Sequence, residues 1–208
     1  MKRRCVLLAA LLLSACAGNG RSTPLPDIYD FGQPAARLSA DEAWSRLALE
    51  IKAPTWFDSP GIAYRLAYED PLKLRDYTGS RWAGAPAQLL GQRLRQQLGV
   101  AGATGNVAVD CLLRVDLQEF SQIFDAPQQS RGVLHGSLSV LDGKRHVIAE
   151  RAVAIEQAAP GADARGGVVA LVAASDELGR QIGSWLRDLD RSGGLKMCRP
   201  SGTTTVRQ

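Results

Sequence analysis

Along residues 61–68, Ile62, Tyr64, Leu66 and Tyr68 alternate with Ala63, Arg65 and Ala67, the period-two pattern of a strand with one buried face. Residues 46–53 (RLALEIKA) and Leu72–Tyr77 read as further strands on either side of it. A helix follows from Pro86 to about Gly99, with proline just inside its start and glycine just past its end. Its apolar stripe is Ala87, Leu90, Leu94 and Leu98, which leaves Gln92, Arg93, Arg95 and Gln96 facing outward.

The second half repeats the order without repeating the sequence. Val107–Phe120 is a long strand carrying Val109, Cys111, Leu113, Val115 and Leu117 on one face. Gly132–Leu141 and Arg145–Gln157 flank Asp142-Gly143, a dipeptide suited to a two-residue hairpin turn. Centred there, the register sets Val140 against Arg145, Leu138 against Val147 and Gly136 against Ala149. Residues 166–190 form the strongest helix, with Val168, Leu171, Val172, Ser175, Leu178, Ile182, Trp185, Leu186 and Leu189 in one stripe. One-sided strands and amphipathic helices imply an α+β two-layer sandwich, with two helices on one face of a mainly antiparallel sheet.

The N-terminus carries a different signal. Lys2-Arg3-Arg4 precedes an apolar run from Val6 to Leu13, and Leu13-Ser14-Ala15-Cys16 follows. A basic start, a short apolar stretch and small residues at a cleavage site mark a secretory signal. The run falls short of the roughly 20 residues that span a bilayer. Leu-Ser-Ala-Cys resembles the bacterial lipobox, which implies acylation of Cys16 and cleavage before it; the alternative is an ordinary signal cut near Ala15 or Ala17. The chain then divides into a lipoprotein signal (1–15), a lipidated tether (16–27), one domain (28–191) and a Gly/Ser/Thr/Arg-rich tail (192–208) expected to be disordered. Within the domain, Ile28–Gly32 reads as a first short strand or docking segment.

Loss of Lys2, Arg3 and Arg4 brings the net charge from +4 to about +1, with 22 basic and 21 acidic residues. No basic stripe remains to bind nucleic acid. Cys5 leaves with the signal and Cys16 takes lipid, so Cys111 and Cys198 remain. In an oxidising compartment they either form a disulfide or stay apart, Cys111 as a small buried hydrophobe and Cys198 as a tail thiol.

Candidate chemistry is sparse. In the register above, His135 lies opposite Glu150 and His146 opposite Ser139, four residues and about 13 Å apart along the ladder. They read as surface histidines, with no metal and no cofactor expected. No nucleophile elbow, phosphate loop or metalloprotease motif occurs, and Gly166-Gly167 reads as a turn rather than an anion site. The sequence points away from an enzyme. The loop Pro54–Pro60 places Trp56 and Phe57 between strands, where they either anchor a partner or plug the end of the core. Trp44 and Trp82 are equally open.

Gly61-Ile62-Ala63-Tyr64-Arg65, then Tyr77, Arg81-Trp82-Ala83, Pro86 and Leu89-Leu90, resemble the ABC-type transport auxiliary lipoproteins, the PqiC-like group. The resemblance extends through Val115–Phe120 and Val133–Leu138 into the last helix. It implies a lipoprotein that accompanies an ATPase, a permease and a mammalian-cell-entry (MCE) type protein, moving lipids between the inner and outer membranes. Ala17, rather than Asp, after the lipidated cysteine implies the outer membrane, facing the periplasm. Expected contact residues are Trp56, Phe57, Arg81 and Trp82, with the solvent face of the strands from Val107 to Gln157. A sheet with free edges also leaves room for a homo-oligomer. The alternatives are a periplasmic lipid or ligand carrier and a structural envelope lipoprotein.

Overall fold

A computed structural model describes residues 25–34, 37–38, 44, 47–103 and 110–198. Its elements run β1 (Asp27–Tyr29), β2 (Leu47–Lys52), β3 (Gly61–Leu66), β4 (Leu74–Trp82), α1 (Pro86–Leu98), β5 (Ala101–Gly102), β6 (Cys111–Ala126), β7 (Gln129–Asp142), β8 (Val147–Ala158) and α2 (Ala164–Arg191). The strands form one sheet with β6 as its spine. On one side β6 pairs antiparallel with β7, which pairs antiparallel with β8. On the other side two shorter strands lie end to end, β2 parallel to residues 111–116 and β3 parallel to residues 122–124. Strand β4 returns antiparallel to β3, and β1 adds parallel to β4. Both helices cover one face, giving the α+β sandwich that the one-sided patterns imply.

The long strand reaches 126 because a bulge re-aims its side chains. Leu117 pairs with Gly136 and Glu119 with His135, so Gln118 is the extra residue. Before it Leu113, Val115 and Leu117 are buried; after it the alternate series Phe120, Gln122 and Phe124 is buried instead. Alternation read without the bulge ends the strand at Phe120. Strand β4 likewise runs five residues beyond Tyr77, with Ser80 and Trp82 turned inward and Arg81 outward.

The β7–β8 hairpin differs from the two-residue turn. The Asp142 carboxylate accepts from the backbone N–H groups of Lys144 and His146, both at 2.8 Å, and Arg145 takes φ 69°. Residues 143–146 therefore all belong to the turn. The register slides by four: Leu138 faces Arg151, Val140 faces Ala149 and Gly136 faces Val153. An even slide keeps every side chain on its expected face. His135 faces Ala154 rather than Glu150, and His146 sits in the turn with Nδ1 3.2 Å from an Asp142 oxygen.

Helix α1 begins with Pro86 at its first position and ends on Gly99 at φ 67°, whose N–H donates to Arg95 O at 2.9 Å. Helix α2 begins earlier than expected. Asp163 caps it, accepting from Gly166 N at 2.7 Å, so Gly166-Gly167 lies within the first turn. The helix presses close to the sheet: a Cβ on Gly132 of β7 would lie 2.8 Å from Leu171 N.

The C-terminal segment corrects a further expectation. Residues 192–198, read as the start of a disordered tail, continue the fold through a turn and a 3-10 helix at Lys196–Cys198. Leu195 and Cys198 are buried, and Cys198 is bonded to Cys111 with their Cα atoms 5.2 Å apart. The core between sheet and helices is filled by Trp44, Trp82, Phe120, Leu90, Leu94, Leu134, Leu138 and the α2 stripe.

Candidate partner-binding surface

The β2–β3 loop separates its two aromatic residues. Pro54 is extended (φ −59°, ψ 151°) and leads into a single 3-10 turn, Thr55–Phe57, closed by Phe57 N to Pro54 O at 2.9 Å. Successive residues of so tight a turn point in different directions. Phe57 enters the core at 6% exposure, while Trp56 stands out at 65%, their ring centroids 6.2 Å apart. The loop thus uses one aromatic as a plug and offers the other to solvent.

Beside it lies a groove of about 500 Å³ between the end of β2 and the outer side of α1. Ile51, Lys52, Ala53 and Asp58 form one wall, and Ala87, Gln88, Gly91 and Arg95 the other. Ala87, Gly91 and Arg95 recur every four residues, so they share one stripe of the helix. A Cβ at Gly91 would come 3.1 Å from Ile51 Cγ1, so glycine keeps this approach open.

Arg81 and Trp82 part company for a simpler reason, the alternation of a strand. Trp82 is 1% exposed, edge-on to Phe31 at 5.1 Å and tilted against Phe120 at 6.1 Å. Arg81 is exposed and stands opposite Ile28 of β1. Trp44 is also a core residue. Of the expected contact residues, Trp56 and Arg81 are on the surface, and Phe57 and Trp82 are structural. Cys16 lies outside the described residues.

Apart from a small buried apolar cluster of Ala48, Leu112 and Leu141, the helix-free face of the sheet is polar and laced by ion pairs between strands. Arg114 on β6 meets Glu50 directly opposite on β2 at 2.8 Å, and Arg145 approaches the same carboxylate at 3.9 Å. Arg65 pairs with Glu119 at 3.1 Å, and Arg131 with Glu156 at 3.0 Å and with Asp125. Among the described residues no group of three or more His, Cys, Asp or Glu gathers to hold a metal.

Sequence periodicity misses two polar clusters on the helix side. Arg93, assigned above to the outer face of α1, is buried and pairs with Asp176 of α2. Near the start of α2, Tyr77 donates to Gln122 Oε1 at 2.9 Å, and Gln122 Nε2 donates to Ser130 Oγ at 2.8 Å. Burial pushes the Tyr77 phenol well above its ordinary pKa, with smaller contributions from Tyr64 and Asp163. At the hairpin turn the Asp142 carboxyl is held below its ordinary value, first by the backbone N–H of His146 and also by that of Lys144.

A family model described as "ABC-type transport auxiliary lipoprotein component" matches residues 29–183. The chain belongs to that family. Its members are transport-associated auxiliary lipoproteins, not a known family of enzymes, which associates the chain with a membrane, facing the periplasm. Among solved structures it resembles protein XCC0632 from Xanthomonas campestris, of the family DUF330, at 18% identity and a TM-score of 0.63 over 80% of this chain and 98% of that one. A second, the crystal structure of an uncharacterized protein, is 15% identical with a TM-score of 0.61 over 78% of this chain and 99% of that one. At such identities the likeness concerns the fold. No curated protein matches the sequence. Among the described residues, no helix is long and apolar enough to cross a membrane.

Proposed function

We propose that this auxiliary lipoprotein is anchored through acyl chains on Cys16 and docks an MCE-type transport system that moves lipids between the inner and outer membranes. The family match over residues 29–183 carries this reading, and the Leu13–Cys16 lipobox supports the anchor. Several acyl chains hold a protein far more firmly than one, which binds only marginally. Anchoring confines the domain to a thin layer and raises its effective concentration for a partner in the same envelope. The proposed membrane is the outer one, by the Ala17 rule, and the protein contributes binding rather than chemistry. Trp56, Arg81 and the groove between β2 and α1 are the proposed contacts. Exposed tryptophan and arginine match the residue types that dominate binding energy at interfaces. A lipid-carrier role is less well supported, because large side chains fill the space between sheet and helices.

A photo-crosslinking residue at position 56 in cells tests the docking. Capture of an MCE-type protein is expected; capture of cell-wall fragments or of an unrelated secretion component overturns it. In parallel, Cys16→Ser should fold normally, leave the membrane fraction and lose transport.

A further inference from the structure

We infer that the tip of the β3–β4 hairpin, residues 67–73, with Leu74 beside it, rests against the surface of the phospholipid bilayer that holds the Cys16 acyl chains. The inference rests on the lipid anchor proposed above. Its first support is exposure: Leu72 is 88% exposed, Tyr68 42% and Leu74 41%, three large apolar or amphipathic side chains within one tip. Contiguous exposed apolar groups mark contact surfaces, and tyrosine and leucine suit the boundary between headgroups and acyl chains. Charge does not oppose the contact. Glu69 and Asp70 are balanced by Lys73 and Arg75, and Arg75 pairs with Glu69 at 3.0 Å.

The second support is direction. Strand β1 runs parallel to β4, with Asp27 opposite Ser80 and Tyr29 opposite Trp82. Followed backward from Asp27, the path of β1 therefore heads along β4 toward Leu74 and the hairpin tip. Leu25, the first described residue on that path, is 92% exposed. From Ser80 to Leu74 the strand covers about 20 Å. The chain from Asp27 back to Cys16 can reach about 36–40 Å when extended. The anchor is thus long enough to bring the tip to the bilayer and short enough to keep it near. The neighbouring β6–β7 turn, Pro127-Gln128, is uncharged and lies at the same end of the sheet, where Ala67 N donates to Phe124 O at 2.9 Å. The turn at residues 143–146 lies at the other end of β6, where Cys111 pairs with Asp142.

The test uses the full lipidated chain in vesicles of phosphatidylethanolamine and phosphatidylglycerol. An environment-sensitive fluorophore is placed at Leu72→Cys, or at Lys144→Cys in the turn at the opposite end, with the native disulfide kept oxidised. Nitroxide-labelled lipid should quench the probe at 72 at least about threefold more than the probe at 144, because a group at the headgroup boundary meets the quencher and one at the far end does not. Equal quenching in a chain that floats with the vesicles overturns the tip contact and leaves the anchor intact. A chain that does not float overturns the anchor and the tip contact with it.

Discussion

Arg93 of α1 and Asp176 of α2 form a two-pronged ion pair, Nε to Oδ1 at 2.6 Å and the second terminal nitrogen to Oδ2 at 2.7 Å. The remaining nitrogen of Arg93 donates to the carbonyls of Phe31 and Gly32, at 3.2 Å for the latter. Gln97 adds a third donor to Asp176 at 2.7 Å. One guanidinium therefore ties both helices to the segment that follows β1. Arginine suits the position because its planar fork matches a carboxylate and still has a donor to spare.

Removing one partner leaves the other charge largely buried without its counter-ion, held only by neutral groups: the Phe31 and Gly32 carbonyls for Arg93, or Gln97 for Asp176. Arg93→Met and Asp176→Leu should each lower unfolding free energy by about 3 kcal/mol, read from urea denaturation. The double variant should lose clearly less than the sum of the two single losses, as expected for directly coupled residues.

The Cys111–Cys198 bond closes a loop of 87 residues and fastens the segment after α2 to the start of β6. Cys198→Ser should cost about 2–4 kcal/mol and expose the segment after Arg191 to limited proteolysis. Thiol titration under denaturing, non-reducing conditions should find no free Cys111 or Cys198 in the native chain.

Tyr77 carries a pH prediction. Its folded pKa is raised, so its contribution is complete below the unfolded value near 10 and is lost as pH rises above it. Wild-type stability should therefore fall more steeply above pH 10 than that of Tyr77→Phe. Below pH 9 the variant should be less stable by about 1 kcal/mol, because Gln122 Oε1 loses its donor. Thermal unfolding of both proteins from pH 7 to 11 measures the difference.

Trp56 and Trp82 should separate cleanly. Trp82→Ala empties part of the core and should cost about 3–5 kcal/mol. Trp56→Ala should change stability by less than about 0.5 kcal/mol while reducing partner capture in a pull-down. Denaturation curves and capture yields on the same preparations make the comparison.

Much of this architecture is legible in the chain. The β3 alternation, the proline and glycine that bound α1, and the stripe of α2 each depend on residues a few positions apart. The α+β class follows from them. The interrupted elements are harder to see. Gln118 shifts the parity of β6, and Asp142 widens a turn that Asp142-Gly143 alone would make tight. The first depends on the pairing with β7, and the second on how the Asp142 carboxylate folds back onto the turn's own N–H groups. The contact surface is legible only by residue type, since an aromatic residue in a loop serves equally as plug or anchor.

By itself the sequence determined the order of the main strands and helices, most of their buried positions and the family resemblance, because these are written in local periodicity and short motifs. Tertiary structure alone decided that Arg93 lies inside and Trp56 outside, that Phe57 and Trp82 belong to the core, and that Cys198 returns to Cys111. It also set β1 parallel to β4, which directs the proposed tether toward the hairpin tip. The physical reason is common to all of these: whether a charge is paired or an aromatic ring covered depends on partners dozens of residues away, and no local pattern records them.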